Sequence, residues 1–152
     1  MTLQQWVDNG WLRAHRTGKK EIRDLLQIVD RDLQDAEKGL SWDWRFGIAY
    51  NAALKLCTIL LYAEGYRAER NLQHYRTIKA MPQIMGAHKK GDAKYLDTCR
   101  SKRNTAEYEY AGAVTETENG LYAVMMKQAQ YDCPDNIVQP RAEPPAGHDA
   151  RL

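Results

Sequence analysis

The residues of this chain best suited to chemistry lie in one run, Cys99-Arg100-Ser101-Lys102-Arg103-Asn104-Thr105-Ala106-Glu107-Tyr108-Glu109-Tyr110. Wound as a helix, the run puts Leu96, Cys99, Ala106 and Tyr110 on one apolar stripe at three- and four-residue steps, with Arg103 at its centre. A guanidinium keeps its charge, and burying it without a partner is costly. Glu107 one turn on, a partner chain or an anionic ligand would each compensate it. As an ordinary Arg103–Glu107 pair on a solvated face it would contribute only about 0.2–0.5 kcal/mol, in the weaker base-before-acid order. Held on the seam, it would instead be a group for binding an anion or a second subunit.

The charge around this run is lopsided. Six cations (Lys89, Lys90, Lys94, Arg100, Lys102 and Arg103) face only Asp92 and Asp97, and then Glu107, Glu109, Glu116 and Glu118 follow. The formal net charge of +2 is too small to argue for nucleic acid by itself. The local excess reads either as a solvated helix face or as an anion-facing surface. Other chemistries find less support. Cys57, Cys99 and Cys133 are isolated and make no CxxC spacing, so neither a disulfide framework nor a zinc site is expected. His15, His74, His88 and His148 are as scattered, the acids cluster no better, and no metal or cofactor is proposed. His74, beside Tyr75, reads first as a structural histidine and second as a catalytic one.

The elements that must position these residues are helices. At 152 residues, 43% apolar and 28% charged, the chain suits one soluble domain. Residues 1–16 read as an N-terminal extension, a short amphipathic turn through Leu3, Trp6 and Val7 that stops at Asn9-Gly10. A first long helix from 17–20 to about Lys38 buries Ile22, Leu25, Leu26, Val29, Leu33 and Ala36 on one face, with Gly39 as its stop. Ser41 or Asp43 caps the next, which runs to Glu64 and is apolar on most sides, as a central helix must be. Another runs from Asn71 to about Ala80, where Pro82 is expected to end it. Gly86 to Gly91 reads as a loop, and Asp92 as the cap of a helix that reaches at least Arg103. Thr115 and Glu118 form a capping box for a last helix. Four prolines then make 132–152 a disordered tail. No stretch alternates as a strand. The expected fold is all-α, an antiparallel bundle of four to five helices over 17–131. The apolar segment Ile48–Ala63 is interrupted by Asn51 and Lys55 and too short to span a bilayer, and no secretion signal is seen, so a cytoplasmic location without membrane contact is expected.

Arg103-Asn104 followed by Tyr108 and Tyr110 resembles the motif of the HEPN superfamily, the higher eukaryotes and prokaryotes nucleotide-binding domains. Many members carry an Arg, a polar residue such as Asn, several further residues and a His; here Tyr108 takes the place of that His. One toxin branch adds a Tyr two residues beyond the His, which Tyr110 matches. The core text Ala49-Tyr50-Asn51-Ala52-Ala53-Leu54-Lys55-Leu56 and the ending Glu64-Gly65-Tyr66-Arg67 are also similar to members of this superfamily, and the resemblance spans about Glu21 to Tyr131. It implies a HEPN-like helical bundle that forms a homodimer and cleaves RNA without a metal, Arg and His facing each other from two subunits. His would move a proton at the 2′-hydroxyl or the leaving oxygen and Arg would steady the phosphate. Arg103, Asn104 and Tyr108 are then the catalytic positions, and Arg100, Lys102, Arg103, Tyr110 and Lys94 the candidates for holding RNA or a nucleotide. A Tyr titrates near pH 10 against about 6.5 for His, so Tyr108 is a poor base, although it can stack or donate a hydrogen bond. His74 would substitute only where the fold brings it beside Arg103.

Three functions follow from this reading. One is an RNA- or nucleotide-binding homodimer with weak or absent ribonuclease activity. Another is an active ribonuclease of a toxin–antitoxin or defence system, silenced by modification of Tyr110 or held by an antitoxin or nucleotidyltransferase partner. The third is a non-enzymatic, antitoxin-like or scaffold interaction module.

Overall fold

A computed structural model describes residues 1–38 and 41–108, with side chains through Arg103. Its described part contains five α-helices and one short two-stranded ribbon, in the order α1 (Leu3–Asp8), β1 (Leu12–Ala14), α2 (Lys19–Ala36), α3 (Trp42–Ala63), β2 (Tyr66–Ala68), α4 (Gln73–Met85) and α5 (Lys90–Tyr108). The expected capping box at Thr115 and the tail at 132–152 lie outside the described residues.

The central helix is α3. Phe46, Ala49, Tyr50, Ala52, Ala53, Leu56, Ile59 and Leu60 are all buried, on several sides at once, because α2, α4 and α5 each pack against it. That explains a helix long and apolar enough to cross a membrane by composition alone: its apolar surface is spent on its neighbours. Ser41 is its N-cap, with the hydroxyl accepting from the Trp44 N–H at 3.3 Å, so of the two expected caps it is Ser41 that serves. Gly65 follows its end at φ 92°, a left-handed conformation that favours glycine, and lets the chain turn directly into β2. The polar interruption Lys55 is met by the buried Asp32 of α2 at 3.1 Å, which also pairs with Arg31 at 3.1 Å. The α2–α3 connection is clipped by Arg45, which donates from Nε to the Lys38 carbonyl and from a terminal nitrogen to the Glu37 carbonyl, both at 2.8 Å.

Three features differ from the sequence expectation. The first is the antiparallel ribbon, which pairs Leu12 with Ala68, Arg13 with Arg67 and Ala14 with Tyr66. At three residues per strand the alternation is too short to register, and the partners lie more than fifty residues apart in sequence. The ribbon and α1 close over one end of the bundle, where Trp6, Leu12, Leu61, Tyr66, Ala68 and Ala80 form a second apolar cluster. The second is Pro82, which lies inside α4 instead of ending it. An interior proline costs a backbone hydrogen bond and about 3 kcal/mol, here offset by burial of Ile78, Ala80 and Met81 and the packing of Ile84 against both clusters. The third is the start of α5, which follows a single 3₁₀ turn over Ala87–Lys89 and begins at Lys90, with Gly91 and Asp92 already helical, so that Asp92 stands in the first turn and not at the cap.

Candidate functional site

Helix α5 decides the geometry. It continues without a break through Asn104 and Thr105 to Tyr108, so positions 94 to 108 share one rigid element. Leu96 and Cys99 are buried against α3 as the stripe requires. Arg103, the next position of that stripe, is half-buried. Its guanidinium carbon lies 5.3 Å from the ring centroid of Tyr50, which is itself fully buried on α3. A cation above an aromatic face is attracted by about 0.5–2 kcal/mol, more as water is excluded. Tyr50 thus supplies part of the compensation that the sequence demanded. Its hydroxyl is buried with no hydrogen-bond partner among the described residues. Burial pushes the phenol up to about 12, although the Arg103 and Arg100 charges oppose the shift.

One turn earlier on α5, Arg100 donates from Nε to Asp97 at 2.9 Å. The start of α4 faces it. There Arg70, Leu72, Gln73, His74 and Tyr75 join Arg100 around a cleft of about 280 Å³. His74 lies in electrostatic reach of both arginines: partial burial of its ring first, then Arg103, then Arg100, pull its pKa below the ordinary 6.5. His74 is itself exposed, so the two cations act on it through solvated space. At neutral pH the imidazole is therefore uncharged and able to accept a proton. Leu72 enters the cleft from a left-handed backbone conformation, φ 53°, at the N-cap of α4. For a leucine such a conformation is strained, and strain of this kind collects at sites where geometry matters. The Tyr75 ring stands between two cations, with Lys79 at 5.7 Å and Arg100 at 5.9 Å from its centroid.

The residues singled out from the sequence are therefore divided. Arg100 lines the cleft with His74, Arg103 acts on that ring from one turn further along α5, Lys102 is half-buried, and Lys94 is exposed and faces a separate groove next to Tyr75. Asn104 and Tyr108 fall on α5, with side chains beyond the described ones, and Tyr110 lies outside the described residues. Sequence reasoning passed over Arg70 and Tyr75 and ranked His74 as structural first. The only signal available was the pair His74-Tyr75 at the start of a helix, since nothing local marks which helix it will face. Among the described residues no group of three His, Cys, Asp or Glu could hold a metal ion. Compared with known protein families, curated proteins and solved structures, the chain matches none.

Proposed function

We propose that this protein is a HEPN-like, RNA- or nucleotide-binding homodimer of the cytoplasm, with weak or absent metal-independent ribonuclease activity, acting in a toxin–antitoxin or defence setting. The observation that carries the reading is the cleft that Arg100 of α5 shares with His74 of α4, with no carboxylate among its described lining residues and with Arg103, one turn further along α5, in electrostatic reach of the ring. Two guanidiniums and a histidine suit a phosphodiester: the arginines hold its oxygens, and the neutral imidazole is the group there able to exchange a proton near pH 7. Tyr108, which stands where the superfamily motif has its His, titrates too high for that work. Any residual cleavage therefore depends on His74, and binding outlasts chemistry.

The experiment is equilibrium binding of single-stranded RNA to the wild type and to Arg103→Ala. A ten-fold or larger loss is expected. An unchanged affinity would remove the basis of the reading. The second reading, a non-enzymatic interaction module, is favoured by Trp42 and Trp44 at the start of α3, which stand 38% and 59% exposed. It expects a co-purifying protein, and not RNA, to raise the thermal midpoint.

A further inference from the structure

We infer that the groove on the far side of Tyr75 is a binding track for single-stranded nucleic acid, continuing from the phosphate cleft at His74 and Arg100. This deepens the nucleic-acid reading and rests on it. The groove, about 610 Å³, runs between α4, the first turns of α5 and the segment that joins α1 to β1. Its charged rim is Arg76, Lys79, Lys90 and Lys94, and its aromatic walls are Trp11 and Tyr75. No carboxylate lines it among the described residues.

These four cations share one groove and differ from several lysines elsewhere on the surface. Lys20, Lys38, Lys55 and Lys89 each meet an aspartate within 3.3 Å. Among the described residues, Arg76, Lys79, Lys90 and Lys94 meet none, and two of them lie over rings instead: Arg76 sits 4.5 Å above Trp11, and Lys79 sits 5.7 Å from Tyr75. Trp11 is held in place from behind by Trp6, edge-on at 5.6 Å and 78°. The aromatic wall is thus fixed, while the positive rim meets no neutralising carboxylate among the described residues. An occupant that satisfies both brings several negative charges and flat rings together, which is the composition of an unpaired nucleotide strand. An acidic peptide supplies the charges but not the stacking surfaces. Tyr75 lines both the cleft and the groove, so a strand whose phosphate lies at Arg100 passes directly onto it.

The test is fluorescence anisotropy with a labelled ten-nucleotide oligoadenylate and the full chain, across a salt series, for wild type, Lys90→Gln/Lys94→Gln and Arg103→Ala. Lys90 and Lys94 are both exposed, and far-UV circular dichroism checks that the fold is kept. The inference expects the double lysine variant to lose at least five-fold in affinity, with a salt slope shallower by about 0.7 for each phosphate contact removed. Fluorescence of Trp6 and Trp11, read in a Trp42→Phe/Trp44→Phe background, should fall on binding. Loss in Arg103→Ala with no change in the lysine variant overturns the groove and leaves the cleft standing. Loss in the lysine variant alone supports the groove and removes Arg103 from the proposed function. No binding by the wild type overturns both, and lysine-dependent binding of an acidic peptide or anionic vesicle in place of the oligonucleotide overturns the assignment of the occupant.

Discussion

Replacing Tyr50 by phenylalanine deletes one oxygen and is expected to make the protein more stable. The ring is fully buried in the middle of α3, and its hydroxyl is buried without a hydrogen-bond partner among the described residues. Leaving such a group unsatisfied costs about 1–3 kcal/mol. The Arg103 cation nearby recovers part of that, so the lower end applies and a gain of about 1 kcal/mol is expected for Tyr50→Phe. For a domain of this size that raises the thermal midpoint by about 4 °C. The phenylalanine ring still offers Arg103 a face, so the gain comes without loss of the cation–π contact. Tyr50→Ala removes the ring as well and should cost about 3–5 kcal/mol. Thermal and urea unfolding followed by circular dichroism measure both changes. The same variant has a pH signature. With the folded phenol at about 12 and the unfolded one at 10.0, the unfolded chain ionises first. The wild type therefore keeps its full stability from this group below pH 10 and loses it as pH rises from 10 towards 12, whereas Tyr50→Phe lacks that component. A phenylalanine variant less stable than the wild type by 1 kcal/mol or more would refute the reasoning, because the hydroxyl would then have a partner worth more than its burial costs.

His74 gives a second pH dependence, with its pKa shifted in the opposite direction. Its pKa lies below 6.5 in the free protein because of burial and the two arginine charges, and a bound phosphate that neutralises those charges raises it. Binding then takes up a proton, so RNA affinity should rise as pH falls through the interval between the bound and free pKa values, and His74→Gln should flatten the profile. Asp32→Ala strips the half-buried Lys55 of its carboxylate and should destabilise by about 1–3 kcal/mol, with Lys55→Met in the same background restoring most of the loss, as a double-mutant cycle in chemical unfolding would show. Leu72→Gly relieves a left-handed leucine and should stabilise by up to about 1 kcal/mol in urea unfolding, since the strain of about 1–2 kcal/mol removed exceeds the added chain entropy.

Much of the bundle could be read from periodicity. Ile22 and Val29 of α2, the all-round apolar text of α3 with its Ser41 cap, and the Leu96–Cys99 stripe of α5 stand where three- and four-residue spacing put them, because those signals lie within a single turn or two of chain. The ribbon was not legible, since three-residue strands carry almost no pattern and their pairing is settled by α3 returning the chain to its own start. Pro82 misled for a related reason: a local rule about one missing hydrogen bond says nothing of the apolar residues on either side that pack α4 into the core. The candidate site divides along the same line. Arg103 could be picked out, because a charge on an apolar stripe is a local contradiction. His74 could not be assigned to it, because its approach to Arg100 and Arg103 is made by the packing of α4 on α5 and leaves no trace in the spacing of either segment. Trp11, Arg76 and Lys94 join around one groove only through that same packing.

Arg100, Arg103 and His74 are proposed to share one anion-facing site. Direct observation of the His74 ring by proton–nitrogen NMR during a pH titration, with and without a single-stranded oligonucleotide, tests it. A free pKa below 6.5 that rises when the oligonucleotide is added, and that also rises without any ligand in Arg103→Ala, is the expected result. An ordinary pKa that neither the oligonucleotide nor the Arg103 substitution moves would contradict it.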